Sequence, residues 1–186
     1  MSRFNFHPTP LPGLTLVERQ PIGDSRGFFA RLYCTEEFRA AGWHKPIAQI
    51  NHTLTRKQGA VRGLHFQHPP HAEGKLVSCF KGQIFDVAVD LRQGSPTFLH
   101  WHGAILSAEN HRSLLIPEGF AHGFQTLTDD CELFYLHTTP FHAEAESALH
   151  VKDPKLGIAW PLPIAELSER DQVHPFIGPD FLGINA

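Results

Sequence analysis

One short stretch of the chain concentrates side chains that can carry protons, metals or anions. Residues 60–77 read AVRGLHFQHPPHAEGKLV, and these eighteen positions hold three histidines, an arginine, a glutamate and a lysine. Imidazole and carboxylate groups could bind zinc, iron or manganese, and an imidazole that titrates near neutral pH could act as a base. The same residues would also suit an exposed polar loop. The spacing alone leaves these three interpretations open.

Two of the three histidines flank a proline pair. Pro69-Pro70 favours an extended loop, because proline fixes its own φ and restricts the residue before it. The imidazoles of such a loop need not converge on one ion. We therefore expect His68 and His71 to lie in a solvated loop rather than in a metal cage.

The length and composition describe one domain, residues 1–186, with 41% hydrophobic residues. The formal net charge is −3 and no basic cluster occurs, which argues against nucleic acid as a partner. No apolar run approaches the roughly 18 residues of a membrane span, so we expect no membrane partner. Three widely spaced cysteines suit free thiols in a reducing compartment, and the cytoplasm is the expected location.

The hydrophobic pattern predicts an all-β jelly roll, a sandwich or barrel with short peripheral helices. Residues 82–91 alternate apolar side chains on one face with Asp86 and Asp90 on the other, which predicts a half-buried strand. A helix of about two turns is predicted over residues 35–42, with Thr35 as its N-cap candidate. The chain from Asp153 is expected to wrap the barrel as loops. Further strands are predicted near residues 15–19, 27–33, 48–55, 75–80, 97–106, 113–116 and 131–139.

A series of motifs gives the chain a family resemblance over nearly its whole length. The motifs are DSRGFF (24–29), QIN (49–51), VRGLHFQ (61–67), KLV (75–77), FDVAVDLR (85–92), LSAEN (106–110), IPEGFAHGF (116–124), DP (153–154), WP (160–161) and LSERD (167–171). Their order resembles that of the dTDP-4-dehydrorhamnose 3,5-epimerases. The resemblance implies a cupin jelly roll that forms a homodimer, needs no metal or other cofactor, and acts on a 4-keto-6-deoxyhexose carried on a nucleotide diphosphate.

The chemistry of such a substrate agrees with the residues. A ketone at C4 acidifies the protons on C3 and C5, so inversion needs a base, an acid on the opposite face and cations near the enolate oxygen. His65 resembles the family's base, and Asp171 the carboxylate that orients its ring. Tyr135 falls where the family places its acid, although it shares a strand face with Leu133 and could simply be a core tyrosine. Lys75 would supply positive charge to the enolate.

The resemblance also implies a set of substrate-binding residues, with the first two contributed across the homodimer interface. They are Arg26, Phe29, Arg31, Gln49, Asn51, Arg62, His122 and Phe141. In a regular strand Arg62 and His65 would point to opposite faces. Gly63 allows a bulge that could turn both side chains toward one cavity.

The chain departs from the family pattern at two positions. Arg31 stands where the family often has a glutamate near the nucleotide base, and Phe141 stands where a second tyrosine is usual. Arginine has donors only, whereas the N3–H of thymine needs an acceptor. If Arg31 lies near the base, it would therefore favour a CDP-linked sugar over a dTDP-linked one.

Two alternatives come from other functional classes. A cupin dioxygenase would bind iron through His65 and His122, with Glu73 as a possible third ligand. A sugar-binding module without activity would keep Arg26, Phe29 and Asn51, but it would be free to lose the proton-transfer residues. Those residues are present, which favours the enzyme. The sequence leaves open whether C3, C5 or both centres are inverted.

Overall fold

The computed structural model describes residues 2–185, which form thirteen strands and two short helices, numbered here in chain order. The strands are β1 (Phe4–Pro8), β2 (Thr15–Arg19), β3 (Ile22–Asp24), β4 (Gly27–Phe29), β5 (Gln49–Thr55), β6 (Val61–Gln67), β7 (Lys75–Lys81), β8 (Gln83–Asp90), β9 (Trp101–Ser107), β10 (Arg112–Ile116), β11 (Phe120–Thr126), β12 (Cys131–His137) and β13 (Glu146–Ala148). The helices are α1 (Thr35–Ala40) and α2 (Glu169–Gln172).

The strands form two main sheets and one separate hairpin. The first sheet has the order β1-β2-β10-β7-β12-β5, and the second has the order β13-β6-β11-β8-β9. Within residues 2–185, strands β3 and β4 pair only with each other. All pairings within the sheets are antiparallel. The predicted all-β jelly-roll architecture is confirmed.

The main core lies between the two sheets. It draws alternate side chains from β7 and β12 of the first sheet and from β8 and β11 of the second, including Val77, Leu133, Ile84 and Phe124. Strand β12 shows the pattern most clearly, since Leu133, Tyr135 and His137 are all buried on one face. This alternation also places the polar side chain of His137 on the buried face of the strand.

Strand β8 is buried on both faces, so the expectation of a half-buried strand was wrong. Its Ile84 and Ala88 face the core between the sheets, while Val87 and Val89 pack on the other face. That second face is covered by the C-terminal part of the chain, which contributes Leu149, Val151, Leu156, Ile177 and Ile184. The predicted wrapping of the C-terminal segment is confirmed, and it is the reason that β8 has no solvent face.

Several element boundaries differ from the predictions. Helix α1 begins after Cys34, which occupies the N-cap position without a side-chain hydrogen bond, and it ends at Ala40. Strand β4 ends at Phe29, and β9 begins only at Trp101. The residues before β9 form turns that are closed by backbone hydrogen bonds, such as Phe98 N–H to the Ser95 carbonyl at 3.1 Å. Strands β1, β3, β11 and β13 and helix α2 were not predicted, and β6 was considered only through the relative orientation of Arg62 and His65.

Candidate active site

A cavity of about 300 Å³ lies between the two sheets. It is lined by Gln49, Asn51, Thr53, Arg62, His65, Phe66, Gln67, Glu73, Lys75, His122, Phe124, Tyr135, His137, Phe141, Glu146 and Arg170. The size suits one small ligand or part of a larger one. Eight of the twelve predicted site residues line it, and Asp171 lies directly behind one of them.

Strand pairing brings the lining residues together. His65 of β6 lies opposite His122 of β11, and Lys75 of β7 lies opposite His137 of β12. Tyr135 of β12 lies opposite Asn51 of β5. The two histidines therefore stand on the wall formed by the second sheet, and the lysine and the phenol stand on the facing wall formed by the first.

A bulge at Gly63 explains how Arg62 and His65 reach the same cavity. The register of β6 against β11 shifts between His122 and Phe124, and Gly63 has a φ of 138°. A Cβ on Gly63 would lie 2.6 Å from the Gly123 Cα, so only glycine allows this close approach. The predicted bulge is confirmed.

His65 and Asp171 form a hydrogen-bonded pair. His65 Nε2 lies 2.8 Å from Asp171 Oδ1, and the carboxylate is almost fully buried. Helix α2 holds the aspartate in place, since the Ser168 hydroxyl caps the helix by accepting from the Asp171 backbone N–H at 3.0 Å. A carboxylate can only accept, so Nε2 carries the proton and Nδ1 keeps the lone pair of the neutral ring.

The charge state of the pair follows from burial and contacts. Burial lowers the pKa of His65 below its ordinary value of 6.5; Asp171 opposes that shift, and Lys75 and Arg170 add to it. Burial alone would raise the pKa of Asp171, but the hydrogen bond from His65 and further contacts lower it overall. At neutral pH the pair is therefore a neutral imidazole beside a carboxylate, which is the form that can accept a proton.

A second imidazole shares the same carboxylate. His174 Nε2 lies 3.2 Å from Asp171 Oδ1, and the His65 and His174 rings meet edge to face. Within residues 2–185, these three residues are the one group whose possible metal-ligand atoms all lie within 4.8 Å of one another. The ligand set expected for a dioxygenase, in which Glu73 and His122 join His65, was therefore wrong.

Glu73 has a different role from the one considered for a dioxygenase. Its Oε1 lies 2.9 Å from Lys75 Nζ, and its Oε2 lies 2.7 Å from His137 Nδ1. Burial would raise the pKa of Glu73, but the His137 and Lys75 contacts lower it to about 2. Lys75 also donates to the His65 carbonyl at 3.3 Å. The lysine is thus a buried ammonium whose charge is balanced by a carboxylate.

The phenol of Tyr135 faces the cavity from the first sheet. The Thr53 hydroxyl donates to its oxygen at 3.4 Å, and the ring lies 5.9 Å from that of His122. Burial raises the pKa of Tyr135 far above its usual range. The phenol therefore stays protonated at neutral pH, and its O–H can be donated to a ligand.

His122 belongs to a second histidine–carboxylate pair. Its Nε2 lies 2.7 Å from Asp86 Oδ1, and Asp86 is fully buried. Burial raises the pKa of Asp86, and the His122 contact opposes that shift. Asp86 Oδ2 has no hydrogen-bond partner among the described residues.

Three predicted binding residues lie outside the cavity of the single chain. Arg26 and Phe29 belong to the β3–β4 hairpin, where they line a separate surface depression. Arg31 pairs with Glu37 of α1, with 2.9 Å between Nη1 and Oε1. The argument for a CDP-linked sugar depends on Arg31 near the nucleotide base, and this ion pair places its guanidinium on the helix instead.

Sequence reasoning did not identify several lining residues as parts of the site. Arg170, with one guanidinium nitrogen 3.3 Å from His65 Nε2, was part of the LSERD motif but was given no role. His137 had one usable signal, since it shares the strand face of Tyr135. Nothing in the local sequence around Thr53 or Glu146 indicated that either would reach the cavity.

Comparison with known proteins gives a consistent result. The family model of dTDP-4-dehydrorhamnose 3,5-epimerase matches residues 8–178. The epimerase of that name from Salmonella typhimurium is 43% identical over 171 residues, covering 91% of this chain and 93% of the relative. The one from Pseudomonas aeruginosa is 46% identical over 165 residues, covering 87% of this chain and 90% of the relative.

A solved structure extends the similarity to the fold. The dTDP-6-deoxy-D-glucose-3,5-epimerase from Legionella pneumophila, in complex with dTDP-4-keto-L-rhamnose, superposes with a TM-score of 0.91 at 38% identity. The match covers 98% of this chain and 99% of that structure's chain. The span matched by the family model includes every residue that lines the cavity, and Asp171 behind it. The chain belongs to the dTDP-4-dehydrorhamnose 3,5-epimerase family.

Proposed function

We propose that this protein is an isomerase that inverts C3 and C5 of a dTDP-linked 4-keto-6-deoxyhexose through enolate intermediates. One observation carries the proposal: the His65–Asp171 pair and the Tyr135 phenol stand on facing walls of one cavity, with the Lys75 ammonium beside them. A base and an acid that approach a carbon from opposite sides are what inversion requires.

Each residue has a role in this reaction. The ketone at C4 acidifies the neighbouring C–H bonds, and His65 Nδ1 takes the proton while Asp171 stabilises the resulting imidazolium. The negative charge that develops on the C4 oxygen is stabilised by the ammonium of Lys75 in a site where water screens little. Tyr135 then donates its proton to the opposite face of the carbon. Arg62, Gln49 and Asn51 hold the rest of the substrate.

Product analysis tests the proposal directly. The purified protein is incubated with dTDP-4-keto-6-deoxy-D-glucose, and the sugar is followed by proton NMR. We expect conversion to dTDP-4-keto-L-rhamnose, in which both centres are inverted. Inversion at C3 alone would narrow the activity to one centre, and a sugar that stays unchanged while dTDP binds would favour a binding module.

The relatives, rather than Arg31, indicate which nucleotide carries the sugar. The Legionella structure holds a dTDP-linked sugar. In this chain the Arg31 guanidinium is engaged by Glu37 of helix α1. We therefore propose dTDP as the carrier.

We also propose that two copies of the chain form a homodimer in which the β3–β4 hairpin of one reaches the cavity of the other. The hairpin carries Phe28 and Phe29, whose exposed fractions are 65% and 66%. Strand β5 is the edge of the first sheet beside the cavity, and it exposes Ile50 and Leu54. Exposed apolar groups at a hairpin and at a sheet edge are typical of an interface between subunits.

A subunit-mixing experiment tests the shared site. The variants His65→Asn and Arg26→Ala/Phe29→Ala should each be weakly active, because one lacks the base and the other lacks the hairpin contacts. Mixed dimers contain one site with an intact base and an intact hairpin, so unfolding and refolding the two together should restore about one quarter of wild-type activity. A mixture no more active than its components would mean that each chain builds its own site.

We also propose that the protein is located in the cytoplasm. No helix among the described residues is long and apolar enough to cross a membrane. Cys34, Cys79 and Cys131 are all free thiols, which suits the reducing cytoplasm that we propose.

A further inference from the structure

A chain of hydrogen bonds runs along the first-sheet wall of the cavity. Phe141 N–H donates to Gln49 Oε1 at 2.9 Å, and Gln49 Nε2 donates to Asn51 Oδ1 at 3.0 Å. Asn51 Nδ2 lies 3.3 Å from His137 Nε2. His137 Nδ1 lies 2.7 Å from Glu73 Oε2, and Lys75 Nζ lies 2.9 Å from Glu73 Oε1.

One end of this chain fixes the direction of every bond that follows. A backbone N–H can only donate, so the atom of Gln49 that faces Phe141 must be the amide oxygen. The Gln49 NH₂ group then faces Asn51, which must present its own oxygen. The Asn51 NH₂ group consequently faces His137, whose Nε2 must accept and therefore carries no proton.

The other end requires a proton on the second ring nitrogen of His137. Glu73 is a carboxylate, with its pKa lowered to about 2, so it can only accept from His137. The His137 proton therefore lies on Nδ1. Glu73 requires a proton on Nδ1 and the Asn51 amide requires that Nε2 carry none, so the two contacts together specify the Nδ1–H tautomer. A proton on Nε2 would place two donors against each other.

We propose that Glu73 and His137 are positioning residues that lock this direction and thereby keep the remaining amide N–H groups available to the ligand. The inference rests on the proposed function for the identity of that ligand. After the internal bonds are made, Gln49 and Asn51 each keep one amide N–H. Lys75 keeps one of its three N–H groups beyond its bonds within the described residues to Glu73 and the His65 carbonyl.

A row of donors recognises ligand groups that can only accept. Phosphate oxygens and a ketone or enolate oxygen are of this kind, whereas a sugar hydroxyl could bind either orientation of the amides. If the row could reverse, the amide oxygens would face those ligand oxygens and repel them. The lock thus contributes to binding through groups that do not touch the ligand themselves.

Three variants separate positioning from packing. Glu73→Gln has the same shape, but its amide can donate to His137 Nδ1. The proton of His137 is then no longer required on Nδ1. His137→Leu removes the link, and His137→Gln restores it, because one end of the amide can donate to Glu73 while the other accepts from Asn51. Heat stability is measured for all three variants, as a control for folding.

The direct readout is the tautomer of His137, observed by ¹⁵N NMR of histidine-labelled protein and assigned by comparison with His137→Gln. We expect the Nδ1–H form in the wild type and a mixture of tautomers in Glu73→Gln. Glu73→Gln and His137→Leu should weaken dTDP binding, or raise the KM of the sugar substrate, about tenfold, with kcat changed less. His137→Gln should recover most of the loss.

Two results would overturn the proposal. One is an Nε2–H tautomer in the wild-type protein. The other is a wild-type dTDP affinity and a wild-type KM in both Glu73→Gln and His137→Leu. The tautomer and the dTDP affinity need no turnover, so they decide the positioning role even if the epimerase assignment itself fails. If His137→Leu does not fold, the isosteric Glu73→Gln still gives both readouts.

Discussion

Asp171 and His65 are separated by 106 positions in the chain and lie 2.8 Å apart in the fold. The C-terminal segment covers the outer face of the second sheet, and helix α2 within that segment places the carboxylate behind the β6 histidine. The burial of this pair makes the imidazole a neutral base, and the carboxylate fixes which nitrogen holds the lone pair. The fall of kcat/KM at acid pH should therefore reflect the pKa of His65.

For the wild-type enzyme, we expect the acid limb of kcat/KM to lie below pH 6.5, the ordinary pKa of histidine. Burial lowers the pKa of His65, and a base works only when deprotonated, so activity is lost as the pH falls through that lowered value. Initial rates measured from pH 4.5 to 8 test this expectation. A limb above pH 6.5 would contradict it.

Asp171→Asn provides the matched control for that profile. The carboxylate opposes the lowering of the His65 pKa, so its removal should move the acid limb to still lower pH. The variant should also lose about 100-fold in kcat, because the developing imidazolium loses its counter-charge. If the acid limb of kcat/KM lies at the wild-type pH in a folded Asp171→Asn variant, Asp171 does not influence the pKa of His65.

Replacing Tyr135 by phenylalanine should separate proton removal from inversion. The phenol remains protonated because burial raises its pKa, and it stands on the wall opposite His65. Tyr135→Phe should still exchange substrate protons with solvent but should form the inverted sugar about 100-fold more slowly. NMR in D₂O measures both rates in one sample. An equal loss of both would mean that Tyr135 positions the substrate or supports the base.

The bulge in β6 gives a stability prediction. In Gly63→Ala the new Cβ would meet the Gly123 Cα at 2.6 Å, and a φ of 138° is unfavourable for alanine. We expect the free energy of unfolding to fall by about 3 kcal/mol, measured by urea denaturation. Gly94→Ala is the control, since Gly94 has a φ of 75° but nothing within 4 Å, and it should cost only about 1 kcal/mol. Equal losses at the two positions would show that the close approach does not matter.

Arg31 should have no influence on the choice of nucleotide. Its guanidinium pairs with Glu37 of helix α1. Calorimetry should find dTDP bound more tightly than CDP by both the wild type and Arg31→Ala, with the ratio of the two affinities unchanged within about twofold. A tighter affinity for CDP that disappears in Arg31→Ala would instead restore the preference considered from the sequence.

The sequence indicated the fold class and much of the cavity, for physical reasons that are visible in particular residues. Alternation in β12 predicted that Tyr135 shares a face with Leu133, because the period of a strand is fixed by its backbone. Gly63 predicted the bulge because a glycine within a strand allows a bulge, and a bulge can turn Arg62 and His65 to the same side.

The contacts that escaped prediction depend on distant parts of the chain. The ion pair of Glu73 with His137 joins residues that are 64 positions apart, which local pattern does not connect. The half-buried character expected of β8 was wrong for the same reason, since the pattern of one strand does not reveal that the C-terminal segment will cover its second face. When the partner of a charged group lies far away in the chain, it can be identified only from the folded structure.

Site-resolved deuterium uptake tests the central claim, that His65 is the base, most directly. The wild type, His65→Asn and the control His68→Asn, whose side chain lies outside the cavity, are incubated in D₂O with dTDP-4-keto-6-deoxy-D-glucose. We expect the wild type and His68→Asn to incorporate deuterium at both C3 and C5, and His65→Asn to lose at least about 100-fold in both exchange rates while it still binds dTDP. Full exchange at either carbon in a folded His65→Asn variant would show that another group removes that proton.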